Sequence, residues 1–153
     1  MLGFETIRAE FGSREYLESI ELRRRVLRLP LGLDFTPKQL ESEREEFHLV
    51  GLQDGVVIAC LVLTPQTGGD IKMRQVAVEP KKQGSGFGRC LVEFSETLAA
   101  NLGFVRMVLK ARDTAVPFYL AQGYEVVGEP FVEVTIPHRH MSKTFGDGFS
   151  RNP

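Results

Sequence analysis

The chain has 153 residues, 42% hydrophobic and 25% charged, a balance ordinary for one soluble globular domain with a proper core. A formal net charge of −1 gives no support for general nucleic-acid binding. No apolar run approaches the length of a membrane span, and Met1-Leu2-Gly3-Phe4-Glu5 lacks a basic stretch followed by an apolar one, so neither an anchor nor a signal peptide is expected and the setting reads as reducing and cytoplasmic.

Residues 4 to 8 read as a short first strand. Residues 14 to 28 read as a helix with Tyr16, Leu17, Ile20, Val26 and Leu27 on a broad apolar face, closed by Pro30 and Gly32. Arg23, Arg24, Arg25 and Arg28 are read mostly as its solvated side. Thr36-Pro37-Lys38-Gln39 is a helix start: Thr36 as N-cap, Pro37 at the first helical position, Gln39 completing a capping box. The following Glu41, Glu43, Glu45 and Glu46 read as a solvated face. His48 to Val50 and Val56 to Leu63 then form two strands around a tight Asp54-Gly55 turn, the second apolar on both faces and so inside a sheet. Cys60 on that strand and Cys90 on a later helix read as small core residues rather than a disulfide or a metal pair.

The most informative stretch runs from Ile71 to Arg89. Its first part is a strand rich in β-branched residues, stopped by Pro80. From Phe87 onward, Phe87, Cys90, Leu91, Phe94 and Leu98 recur at helical spacing. Between them lie Gly84, Gly86 and Gly88 at alternate positions. A glycine-rich bend entering a helix leaves main-chain N–H groups pointing outward, and with the helix dipole they suit a phosphate. The P-loop pattern fails because Gly88 is followed by Arg89-Cys90. The dinucleotide pattern fails because the spacing is G-x-G-x-G after a basic approach through Lys81 and Lys82.

After the helix, stopped by Gly103, comes a buried strand over 104 to 111, expected to lie parallel to the strand at 71 to 79 because a whole helix separates them. Asp113 or Thr114 is expected to cap a helix over 115 to 122 with Pro117 in its first turn. Tyr124 to Val127 and Phe131 to Ile136 read as two closing strands around Gly128-Glu129-Pro130, and His138 to Lys143 ends the last strand. One domain over 1–145 is expected, with a fraying tail over 146–153.

The hexapeptide Gln83-Gly84-Ser85-Gly86-Phe87-Gly88 resembles the coenzyme-A-binding signature of the GNAT acetyltransferase superfamily, Gln/Arg-x-x-Gly-x-Gly/Ala. Val76-Ala77-Val78-Glu79-Pro80 looks like that family's central strand and its exit. Ala115, Phe118, Tyr119, Gly123 and Tyr124 match its Ala-x-x-Phe-Tyr-x-x-x-Gly-Tyr/Phe stretch. Phe131-x-Glu133-x-x-Ile136-Pro137-His138 looks like a branch of small bacterial members. The resemblance implies an α/β (α+β) GNAT fold: a mixed, mostly antiparallel central sheet of about six or seven strands flanked by about four helices, with a splayed parallel strand pair forming an acyl-CoA cleft.

The same resemblance implies N-acetylation of a primary amine, on a small molecule or a peptide, by direct attack on acetyl-CoA in a ternary complex. The amides of Gly84, Ser85, Gly86, Phe87, Gly88 and Arg89, with Gln83 at the entry, would dock the pyrophosphate. The backbone of Val76, Ala77 and Val78 would carry the pantetheine arm and polarise the thioester carbonyl. Tyr119 matches the family's general acid. A tyrosine suits a leaving thiolate of pKa roughly 8.5 to 10, and Phe118 beside it is free to fill the core role. Asp113 stands where the family often has an Asn. Glu79 and Glu133 are candidate bases, Glu133 alternatively an acceptor contact. Glu46 and His138 are further candidates, and deprotonation through water needs none of them. His138-x-His140 puts two imidazoles on one face, but only distant His48 could add a third ligand, so no metal is expected. The family's frequent dimerisation leaves a homodimer open. A non-catalytic acyl-CoA-binding sensor or interaction module is the alternative function.

Overall fold

The computed structural model describes residues 3–146. The tail expected from 146 onward therefore lies, past Gly146, outside the described residues. Among these, seven strands form one mixed sheet in the order β1-β2-β3-β4-β5-β7-β6, and there are four α-helices. The expected sheet and helix complement and the parallel pair, β4 with β5, are present. The chain divides into two compact units. One holds the described residues up to Thr64 with Gln75–Ser95; the other holds Pro65–Arg74 and the described residues from Glu96 onward.

In the first unit, β1 (Phe4–Ala9) pairs antiparallel with β2 (Phe47–Gln53), which pairs antiparallel with β3 (Val56–Pro65). The Asp54-Gly55 turn joins β2 and β3 with φ of 51° and 83°, the left-handed pair that matches the twist of a hairpin. Gly51 in β2 leaves room for the Phe4 ring, which a Cβ there, 2.5 Å from Cζ of Phe4, would displace. Helix α1 (Arg14–Arg23) starts at Ser13, whose hydroxyl accepts from the Tyr16 amide at 3.2 Å. Its Tyr16, Ile20 and Leu22 form a core cluster with Val50, Leu52, Val57, Cys60 and Ala77. The chain continues through a π-helical turn, Arg24–Arg28, and a 3₁₀ turn, Leu29–Leu31, to Gly32 at φ 73°. Helix α2 (Pro37–Glu41) carries the expected capping box: Thr36 Oγ1 accepts from the Gln39 amide and Gln39 Oε1 from the Thr36 amide.

Two expectations about this unit are corrected. Arg23 is not on a solvated face but 1% exposed, and Glu43 is not solvated but 5% exposed, the two meeting in a bidentate ion pair. Burial of either charge is affordable because each neutralises the other and both are hydrogen-bonded.

In the second unit, Asp70–Met73 of β4 (Asp70–Val78) pair in parallel with Arg106–Leu109 of β5 (Arg106–Arg112). β5 pairs antiparallel with β7 (Ile136–Thr144), and β7 with β6 (Glu125–Glu133). Ile71, Met73, Met107, Leu109, Ala111 and Met141 alternate along these strands and are buried. The closing hairpin differs from expectation. Gly128-Glu129-Pro130 is not a turn but an irregularity inside β6, and the chain reverses at Val134-Thr135, with φ of 49° and 62°. β6 is an edge strand, where a proline without an N–H is tolerated, so the Gly-Pro signal marks a bulge instead of an end. Helix α3 (Phe87–Asn101) begins in the first unit and ends in the second, and α4 (Val116–Leu120) lies in the second. The expected cap on α4 is also corrected: Asp113 opens a 3₁₀ turn, and the N-cap is Ala115, with no side-chain bond.

Candidate functional site

The glycine-bearing bend is open. Gln83, Gly84, Ser85 and Gly86 are exposed, Gly84 and Gly86 have φ of 80° and 89°, and a Cβ on Gly84 would meet nothing within 4 Å. The first hydrogen bond of α3 is Cys90 N–H to Gly86 O at 3.0 Å, so the amides before it have no helical acceptor. Phe87 and Gly88 are buried, and the Phe87 ring packs against Phe4 at 4.8 Å. The helix start is thus anchored from below while its amide face stays open. The Gln83 side chain donates to Val78 O at 3.1 Å, clasping the bend to the end of β4. Arg89 pairs with Glu93 along the helix at 3.0 Å. All the residues expected to bind cofactor, Val76–Val78 and Gln83–Arg89, belong to the first unit.

β4 leaves extended geometry at Gln75, whose φ is 56°, immediately before Val76-Ala77-Val78. Ala77 is buried and the two valines are partly buried. Cys60, in contact range of this strand, is wholly buried, and burial pushes its thiol up to about 12. It is an inert core thiol. The missed residue is Arg23, which donates from Nε to Gln75 Oε1 at 3.3 Å and from both Nη atoms to Glu43 at 3.0 Å. A signal for it existed: Tyr16, Ile20 and Arg23 stand at i, i+4 and i+7 on one helix face.

The candidate bases are engaged. Glu79 directly follows β4, its amide bonded to Ile58 O at 2.8 Å and its carboxylate bidentate with Arg25 at 3.1 and 3.0 Å. Those bonds hold its carboxyl below the usual range. Glu133, in the second unit, meets Lys110 Nζ at 3.0 Å and is likewise held down, chiefly by that bond. Tyr119, also in the second unit, is 6% exposed, and burial holds its phenol well above the ordinary range. Its neighbour Phe118 is 38% exposed, so the expectation that Phe118 fills the core beside a freer Tyr119 is reversed. The rings of Phe118 and Tyr124 stand edge-on to Tyr119 at 5.0 and 5.6 Å. His138 is buried with Nδ1 2.7 Å from Ile136 O, and Phe131 stacks on both His138 and His140. Among the described residues no group of three or more metal-ligating side chains converges, and no helix is long and apolar enough to cross a membrane.

Known proteins resemble this chain in sequence and in fold. The acetyltransferase (GNAT) domain pattern fits residues 34–145. The uncharacterized N-acetyltransferase YjcF of Bacillus subtilis is 32% identical over 104 residues, covering 67% of this chain and 74% of its own length. A solved N-acetyltransferase structure from Lactobacillus plantarum superposes with a TM-score of 0.82 at 25% identity, over 93% of this chain and 98% of that one. A GNAT family acetyltransferase from Elizabethkingia anophelis, solved with acetyl-CoA bound, shares the fold at a TM-score of 0.74 and 14% identity, over 95% and 100% of the two chains. The chain belongs to the GNAT family of acyl-CoA-dependent acetyltransferases.

Proposed function

We propose that this chain, working as one domain over 1–145, transfers an acetyl group from acetyl-CoA to the primary amine of a small molecule or peptide by direct attack in a ternary complex. The observation that carries the reading is the exposed glycine bend Gln83–Gly86, open at Gly84, leading into the start of the 15-residue helix α3. Such a bend holds a diphosphate through main-chain donors and the positive end of the helix dipole. It would leave the pantetheine arm along Val76, Ala77 and Val78, whose N–H groups would stabilise the oxyanion of the tetrahedral intermediate.

In this reading Tyr119 protonates the departing thiolate. A phenol is protonated at neutral pH, the form a proton donor requires, while burial raises its pKa and so makes it a weaker acid in this conformation. The amine must lose a proton on attack. Glu79 and Glu133 are both held ionised by cations, which makes each a weak base. We therefore assign the proton removal to water ordered by one of these carboxylates. Bound acetyl-CoA supplies the acyl group; the residues here bind it, aim its carbonyl and manage the two protons.

Titrating acetyl-CoA by calorimetry, then screening primary amines with free-thiol detection, tests the proposal. Tyr119→Phe is expected to bind acetyl-CoA normally and to turn over at a rate lower by roughly a hundredfold. Absence of heat with acetyl-CoA would overturn the proposal. Binding without turnover across a broad amine panel would replace it with the non-catalytic binding module.

A further inference from the structure

Gln75 adopts φ 56°, a left-handed conformation that residues with a Cβ rarely take and keep only where surrounding contacts impose it. It sits one residue before the Val76–Val78 backbone. The contact on its side chain comes from Arg23 Nε at 3.3 Å, and Arg23 is itself locked. Both of its Nη atoms donate to Glu43 at 3.0 Å, and its guanidinium lies 4.6 Å over the Phe35 ring. The planar fork fixes the direction of Nε once the two Nη bonds are made. A buried ion pair of this kind is seldom better for stability than well-packed apolar residues, so its presence asks for another reason.

We propose that the Arg23–Glu43 pair is a positioning device that holds Gln75 left-handed and thereby aims the main-chain N–H groups of Val76–Val78 at the acyl thioester. Arg23 and Glu43 act through Gln75 and touch no reactant. The inference rests on the reading of β4 as the thioester-binding strand, and it adds the residues that set the aim of that strand. The bend at Gly84–Gly88 is held by other contacts, namely Phe87 on Phe4 and Gln83 on Val78. The two ends of the cofactor are therefore separable by experiment.

The test titrates acetyl-CoA and adenosine 3′-phosphate 5′-diphosphate, the fragment of coenzyme A that keeps the pyrophosphate and lacks the pantetheine arm, into four proteins: the wild type, Arg23→Lys, Gln75→Leu and Gln75→Gly. Gln75→Leu leaves the buried ion pair whole and removes only its contact to β4, so it serves even where Arg23→Lys fails to fold. Arg23→Lys and Gln75→Leu are expected to weaken acetyl-CoA and lower kcat, each by roughly tenfold or more, because a small misplacement at the reacting centre is expensive. Affinity for adenosine 3′-phosphate 5′-diphosphate should change by less than about twofold. Gln75→Gly, which reaches the left-handed conformation without help but is not held there, should lose clearly less than Gln75→Leu. The inference is overturned if Gln75→Leu binds and turns over like the wild type, if Gln75→Gly is as impaired as Gln75→Leu, or if both ligands weaken together. A wild type that takes up no acetyl-CoA overturns the parent reading instead, and this inference with it.

Discussion

Glu43 in the first unit and Glu96 in the second are both nearly inaccessible, 5% and 3% exposed, yet they are satisfied differently. Glu43 faces a guanidinium fork, two parallel bonds of 3.0 Å from Arg23. Glu96 on α3 accepts from the Tyr124 hydroxyl at 2.7 Å and from Lys143 Nζ at 3.1 Å, and Lys143 also donates to Gln122 O at 2.8 Å. The fork is a rigid connector: fix one side and the third donor has a direction, here toward Gln75. The Glu96 set is divisible, because hydroxyl and ammonium come from different points of the chain and each can be removed while the other stays. Two buried carboxylates of equal charge therefore do different work, one transmitting geometry along a line and the other tying α3 to the segments at Tyr124 and Lys143.

The sharpest way to break this contrast is Arg23→Ala. It strands the Glu43 charge in the core of the first unit, and the loss in unfolding free energy is expected at about 3–5 kcal/mol. Urea unfolding measures it. The double replacement Arg23→Met with Glu43→Leu removes both charges and is expected to recover most of the loss while leaving the acetyl-CoA defect in place. A single replacement costing less than about 1 kcal/mol would show that water reaches the pair and screens it.

Tyr124→Phe should cost less, about 1.5–3 kcal/mol, the worth of a hydrogen bond to a charged acceptor, because Lys143 remains beside Glu96. The Tyr124 phenol is held far above its ordinary range, first by burial and then by Glu96, so it stays a donor throughout the working pH range. If Tyr124→Phe proves as damaging as Arg23→Ala, the divisible character of the Glu96 set is wrong.

What could be read in the sequence was local. The capping box at Thr36 and Gln39, the Asp54-Gly55 turn and the glycine bend before α3 are each written within six residues, and each appears as read. What could not be read was imposed from a distance. Val134 and Thr135 are poor candidates for a left-handed turn, and only the pairing of β6 with β7 places them there, while the stronger Gly128-Pro130 signal became a bulge. Phe118 and Tyr119 are adjacent aromatics in a five-residue helix, too short for periodicity to decide which turns inward. Arg23 was assigned to solvent by its charge, although its position on the Tyr16–Ile20 face pointed inward; its partner Glu43 lies 20 residues away, and no local pattern links them. The glycine bend entering α3 was legible for the first reason, and the distant cations that engage Glu79 and Glu133 were not, for the second.

A smaller effect is expected from pH. His48 is buried beside Tyr16, and its Nε2–H donates to Glu43 O at 2.8 Å, leaving Nδ1 buried without a partner. The charged groups facing it include Glu43, Glu46 and Arg23, and burial outweighs them, lowering its pKa. Below the ordinary histidine pKa of about 6.5 the unfolded chain takes up a proton that the folded one resists. Stability from this residue is therefore intact above that pH and declines as pH falls through it. The Tm should drop between about pH 7.5 and about pH 5.5, and His48→Gln should flatten that drop. An unchanged slope in the variant would assign the acid sensitivity elsewhere.

Smallest of all should be Arg24→Gln, next in sequence to Arg23. Arg24 binds Asp34 bidentately at 2.8 and 2.8 Å, shorter than the buried pair, and its bonds, with a further one from the Phe35 amide, pull the Asp34 carboxyl down to about 2. Geometry alone would rank this pair above Arg23–Glu43. Both partners, however, reach solvent, where water and salt compete for each charge and the long Arg24 side chain loses freedom on pairing. No measurable change in the urea midpoint is expected, nor in acetyl-CoA affinity. A shift comparable to that of Tyr124→Phe would mean that bond geometry, not removal from water, separates strong pairs from weak ones here, and the contrast between Glu43 and Glu96 would then need to be redrawn on geometry as well.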